Sequence, residues 1–200
     1  MANPSNFIPW KDAAFNFFSK RGPLTGRGHY SPPEGLGGNY KGAAVGTSPA
    51  YSFSATVCEV DVDMETGKVK VLNFWDAHDC GTAVNPLSVE GQAEGAVVMG
   101  MSEVLFENEV FDKNGKMVNA DLHNYLIATS ADMPAIDTRV VDSYEPNGPY
   151  GAKEVGEGAT LPILGALANA IADAIGVRVF ELPITPQKVL DAIKSAKEKV

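Results

Sequence analysis

The chain has 200 residues, 44% of them apolar and 20% charged, which is the composition of a folded domain rather than a disordered tail. With 16 Lys and Arg against 25 Asp and Glu the net charge is −9, which argues against a nucleic-acid or anionic-membrane surface. Two cysteines, Cys58 and Cys80, cannot build a disulfide framework or a four-thiolate metal site, and no apolar run reaches the length of a membrane span.

The first residues, Met1 to Asn6, are polar and no long apolar stretch follows, so a cytoplasmic protein without a targeting signal is the expectation. Trp10 to Phe18 reads as a short amphipathic helix whose aromatic side chains pack on something. From Gly22 to Pro49 glycine and proline crowd the text too densely for regular structure. Residues 1–50 are therefore expected to be a loop-rich lead that wraps a partner, and residues 51–200 a compact body.

The body opens with a hairpin. Tyr51, Phe53, Ala55 and Val57 alternate with Ser52, Ser54 and Thr56, Gly67 supplies a turn, and Val69 to Asp76 returns. Asn85 and Pro86 read as the N-cap and first residue of a helix rich in small residues that runs towards Phe106. Asn114-Gly115 suggests a second hairpin with a type I′ turn, and Thr138 to Tyr144 a further strand. Leu161 to Ile175 reads as a helix apolar all round, and Thr185-Pro186 opens a last one. The fold class expected is α+β, with β-hairpins packed against helices.

Two segments carry chemistry. In Gly91-Gln92-Ala93-Glu94-Gly95-Ala96 a Gln amide sits among residues with little bulk. That suits either a tightly packed helix or the approach of a planar polar heterocycle. In Lys153-Glu154-Val155-Gly156-Glu157-Gly158, Glu157 stands between glycines before an apolar helix. It reads either as a cap on the helix N-terminus or as a general base in an apolar cleft, with Lys153 able to pair with either carboxylate. His29, His78 and His123 have no ligand spacing, and Cys58 and Cys80 read as small buried hydrophobes.

In this order, with Tyr51 to Asp63, Asp79-Cys80-Gly81, Asn85-Pro86 and Leu182-Pro183-Ile184-Thr185-Pro186, these segments resemble the C-terminal part of the molybdopterin-binding large subunit of the xanthine oxidase family. The flavour is nearest the branch with 4-hydroxybenzoyl-CoA reductase and related aromatic or aldehyde dehydrogenases. The resemblance implies a molybdenum-dependent oxidoreductase acting on a heteroaromatic, aldehyde or aromatic acyl-CoA carbon by hydroxylation or reductive dehydroxylation. Glu157 matches the general base near molybdenum and Gln92 the glutamine beside the metal and pterin. Gly91, Ala93 and Gly95 would admit the pterin, Lys153 would stand behind the base, and Thr47 and Ser48 would line the cofactor.

The cofactor implied is molybdopterin with Mo, as its cytosine dinucleotide, with [2Fe–2S] and FAD on partner subunits. The family's Gly-Phe-Gly-Gly text and its further Gln at the metal are not found here. The remainder of the large subunit, with iron–sulfur and flavin subunits, is therefore expected to complete the site. A non-catalytic assembly subunit and a free-standing hydrolase using Glu157 are the other readings.

Overall fold

The computed structural model describes residues 7–23, 25–31 and 50–198. The chain divides into two compact units, residues 1–31 and 32–200. The first holds helix α1 (Trp10–Arg21), which buries none of its residues, so Trp10, Phe15 and Phe18 all stay exposed.

The second unit is a small mixed sheet with helices on one face. Strands β1 (Phe53–Val62) and β2 (Val69–Asp79) form the expected antiparallel hairpin. Its turn is held by Asp63, whose side chain accepts from the Glu65 and Thr66 amides, and by Gly67 at φ +72. A Cβ at Gly67 would meet the Pro186 carbonyl, so the turn packs directly on the start of the last helix.

The pairing slips once. Glu59 faces Asn73 but Val60 faces Val71, which leaves Leu72 as an extra residue in β2. The bulge keeps Val71, Phe74, Asp76 and His78 all buried along one strand, although strict alternation from Val71 would have turned the last three outward.

Helix α2 (Pro86–Leu105) starts where the sequence places it, with the Asn85 side chain accepting from the Ser88 amide. It is the crossover to β3 (Ala135–Val140), which lies parallel to β2 on the side opposite β1. The strand expected over Thr138 to Tyr144 thus begins and ends earlier. The Asn114-Gly115 turn forms, but its arms meet only at the bridge Phe111–Met117, and positive φ falls on Gly115 alone, so it is not type I′.

Helix α3 (Leu161–Ile175) lies against β1 and α2, and α4 (Pro186–Lys197) follows a Thr185 cap as expected. α3 is not apolar all round in its packing. Ile163, Leu167 and Ile171 form one buried stripe, while Leu161 is exposed. The core joins that stripe to Val71 and Phe74 of β2, Val97, Met101 and Val104 of α2, and Val189 and Ile193 of α4.

The inward face of β1 carries hydroxyls in its first half and Cys58, Val60 and Val62 against the core in its second. Ser54 and Thr56 are half-buried, whereas Phe53, Val57 and, on β2, Trp75 are exposed on the other side of the sheet.

Candidate functional site

The hydroxyl half of that face has a specific use. The segment between β3 and α3 returns across the inner end of the sheet, and its backbone carbonyls are gathered by side chains from three elements. Ser52 Oγ donates to Glu154 O at 2.9 Å and Ser54 Oγ to Gly158 O at 2.7 Å. From β2, His78 Nε2 lies 3.2 Å from the same Glu154 carbonyl. From α2, Gln92 Nε2 donates to Gly156 O at 3.2 Å. The turn that bears Glu157 is therefore tied at three alternate carbonyls, at residues 154, 156 and 158.

Just before this turn the chain runs beside the 80–82 link. Lys153 N donates to Cys80 O at 2.7 Å and Thr82 N to Gly151 O at 2.8 Å. Gly81, at φ +66, makes this close approach possible, since a Cβ there would lie 2.2 Å from the Gly151 carbonyl oxygen.

Lys153 does not pair with Glu154 or Glu157. Its ammonium reaches Asp79 at 2.5 Å, with side chains only 7% and 16% exposed, and it lies 5.4 Å from the centre of the Phe53 ring. Asp79 also accepts from Ser143 Oγ and from the Gly81 amide. Burial alone would raise the Asp79 carboxyl, but Lys153, Ser143 and the amide hold it down, to about 2.

Glu157 is exposed, not buried in an apolar cleft, and its carboxylate makes no hydrogen bond with the described residues. It is not the cap of α3 either. That position belongs to Thr160, and no side chain caps the helix.

The Gly91–Ala96 segment spans the second and third turns of α2. Gly91, Gln92 and Gly95 face outward, and a Cβ built at either glycine meets no atom within 4 Å. Ala93 turns inward with Ala96 against Ala159 and is buried, so it offers a cofactor no open surface. These alanines let α2 approach the start of α3 and bring Gln92 to Gly156. Tight helix packing, the alternative for this segment, falls lower down at Gly100, where a Cβ would sit 2.7 Å from Ile163. A hollow of about 300 Å³ opens beside Gln92, lined also by Cys80, Thr82, Asn85, Lys153 and Val155.

The structure thus brings Gly91, Gln92, Gly95, Lys153 and Glu157 to one end of the sheet. Thr47 and Ser48 lie outside the described residues. Sequence reasoning passed over Ser52, Ser54, Asp79 and His78. The signal available was the run of polar residues on one phase of each strand, Ser52-x-Ser54-x-Thr56 in β1 and Asp76-x-His78 in β2.

The family profile described as molybdopterin cofactor-binding domain matches residues 1–134. Among curated proteins the chain is similar to the 6-hydroxypseudooxynicotine dehydrogenase complex subunit gamma of Paenarthrobacter nicotinovorans. That match is 30% identical over 88% of this chain and 22% of that protein. It is also similar to the nicotine 6-hydroxylase large subunit of the same organism, with 34% identity over 73% of this chain and 18% of that protein. Among solved structures, quinoline 2-oxidoreductase from Pseudomonas putida 86 superposes with a TM-score of 0.65 at 34% identity, over 68% of this chain and 18% of that one. Aldehyde oxidoreductase from Desulfovibrio gigas gives 0.66 at 32%, over 72% and 15%. The chain spans less than a quarter of the length of each of these relatives. A sheet end that gathers a Gln, two open glycines and a free carboxylate, and a profile match over most of the chain, lead to one conclusion: the chain belongs to the molybdopterin cofactor-binding family of xanthine oxidase-type molybdenum enzymes.

Proposed function

We propose that this chain forms one wall of a molybdopterin pocket and supplies Glu157 as the general base of a xanthine oxidase-type oxidoreductase. The observation that supports this is the Gln92–Gly156 hydrogen bond, which ties the turn bearing the exposed Glu157 to the stretch of α2 that holds the open Gly91 and Gly95.

The residues present fit the cofactor. Gly91 and Gly95 leave backbone open to a flat ligand, Gln92 offers both a donor and an acceptor, and the adjoining 300 Å³ hollow has room for part of a fused ring system. Gly91, Gln92 and Gly95 would hold the pterin through backbone and amide contacts, with Thr47 and Ser48 proposed on its far side and the cytosine dinucleotide as its extended form. When bound, the group supplies a two-electron redox centre.

What this chain does is positional and acid–base. Glu157 accepts a proton from the group that attacks the substrate. The three tied carbonyls hold its turn still, and the Lys153–Asp79 pair fixes the segment leading into it. The relatives named for nicotine and for quinoline favour an electron-poor heteroaromatic carbon as the site of reaction, with an aldehyde carbon as the second choice. The remainder of a large subunit would close the pocket, and [2Fe–2S] and flavin subunits would carry electrons away.

The test is Glu157→Gln in the enzyme purified with its accompanying chains. Turnover should fall by about 10²–10⁴-fold, the usual worth of a general base, with molybdenum and pterin content unchanged. Retained turnover would sink the base assignment. Loss of both turnover and metal would make Glu157 a structural residue, and a complex with no molybdenum in the wild type would leave the assembly-subunit reading.

A further inference from the structure

Beneath the Glu157 turn lie two ionisable groups that the mechanism above does not use. Asp76 and His78 stand two residues apart on the inner face of β2, and each is 1% exposed. Asp76 Oδ1 accepts from Thr56 Oγ1 at 2.5 Å, and His78 Nε2 meets the Glu154 carbonyl at 3.2 Å. Their other polar atoms, Asp76 Oδ2 and His78 Nδ1, are both buried without a partner. A buried polar atom left unpaired is costly, and here two complementary ones occur side by side.

Their chemistry leaves few arrangements. A carbonyl oxygen can only accept, so the contact to Glu154 requires a proton on His78 Nε2. Nδ1 can then be a lone pair facing a protonated Asp76 carboxyl, or an N–H facing an Asp76 carboxylate. The two forms differ only in which partner carries one shared proton. The two atoms do not bond to each other directly in this structure, and either form satisfies both of them through one buried water between them. The third arrangement, a carboxylate facing a bare Nδ1, leaves a buried negative charge with no cation to balance it. Burial pushes the Asp76 carboxyl up, against the opposing pull of Thr56 and His78, which fits retention of that proton. The other charged groups nearby are Glu154, whose carboxylate borders the His78 ring at Gly158, and the Lys153–Asp79 pair next along the chain.

We propose that Asp76 and His78 form one proton-sharing unit whose task is positioning: it keeps an N–H at His78 Nε2 and so pins the turn that carries Glu157. The unit acts through the turn and touches no reacting atom. Its connection to catalysis rests on the proposed role of Glu157; its connection to the turn does not.

The test separates the two. In the full chain with its accompanying subunits, ¹⁵N shifts of the His78 ring should show Nε2 protonated. A ring protonated only at Nδ1 overturns the proposal without any variant. Gln places an amide N–H near the former Nε2 and Asn cannot reach, so His78→Gln should keep the exchange protection of the Lys153 and Thr160 amides, which bond to Cys80 O and Glu157 O at the two ends of the turn. His78→Asn should speed their exchange by about ten-fold or more. Asp76→Leu should do the same as His78→Asn, and Asp76→Asn, whose amide can still donate through that water to Nδ1, should not. In assays, kcat should fall in the variants whose exchange speeds up, while KM changes little. Equal protection in His78→Gln and His78→Asn would overturn the proposal. If Glu157→Gln retains turnover while the exchange pattern holds, the base assignment fails and the positioning unit stands.

Discussion

The side-chain amide of Gln92, in the second turn of α2, donates to the backbone carbonyl of Gly156, 64 residues further along the chain and immediately before Glu157. One hydrogen bond thus joins the two segments in which the chemistry is concentrated. Gln92→Ala should cost only about 1 kcal/mol in overall stability, because the bond is neutral and exposed. Exchange of the Thr160 amide, which donates to Glu157 O, should rise and turnover should fall, both read on one preparation. A variant that loses stability but keeps turnover would make the bond a packing detail.

Lys153 and Asp79 behave differently because both are largely removed from water. Lys153→Met leaves Asp79 ionised without its cation and should cost about 3–5 kcal/mol in urea unfolding. Adding Asp79→Asn should recover part of that loss, as a double-mutant cycle would show.

The same pair predicts an acid limb of stability. The folded Asp79 carboxyl is held at about 2, below the unfolded aspartate value of about 3.9. Its contribution is therefore complete above pH 4 and disappears as the pH falls from about 4 towards 2. Unfolding free energies measured across that window should slope downward in the wild type and flatten in Asp79→Asn.

Two glycines of one helix should respond in opposite directions. At Gly100 a methyl group would press on Ile163, so Gly100→Ala should destabilise by about 1–3 kcal/mol. At Gly95 the space is open, so Gly95→Ala should stabilise by up to about 1 kcal/mol through helix propensity alone. If a pterin approaches this turn, Gly95→Ala will also lower molybdenum occupancy. A gain in Tm with full occupancy would move the cofactor away from α2.

The outer face of the sheet gives a test of assembly. Trp75 lies opposite Val57 in the hairpin register, and both are exposed beside Phe53. Trp75→Glu should leave the fold within about 0.5 kcal/mol of wild type, as surface changes do, yet reduce recovery of the accompanying chain. Unchanged recovery would show that this face is not where the rest of the large subunit rests.

What could be read in the sequence was local. The Asn85-Pro86 and Thr185-Pro186 helix starts and the Gly67 turn depend on neighbouring residues, and each forms as the text implies. What could not be read depends on distant pairing. The parallel register of β3 is set by the α2 crossover, and the partner of Lys153 is 74 residues away. Glu157 is exposed on a turn tied by carbonyls 154, 156 and 158, so the apolar cleft of the general-base reading does not surround it, and the cap reading fails because Thr160 holds that position. Hydropathy also misleads in β1, because the serines that look solvent-facing are those that grip the turn, while Phe53 and Val57 face out.

The extra residue at Leu72 has a consequence for the whole site. Val71 before it and Phe74 after it both serve the hydrophobic interior, and beyond them Asp76 and His78 point inward, His78 to the Glu154 carbonyl of the Glu157 turn. Side chains in a strand repeat every two residues, so deleting Leu72 would put these stretches half a period out of step. If Val71 kept its place, the carboxylate and imidazole would swing to the outer surface; if they stayed, Val71 would be expelled. One strand can carry Val71, Phe74, Asp76 and His78 on the same side only because Leu72 acts as a spacer after the first of them.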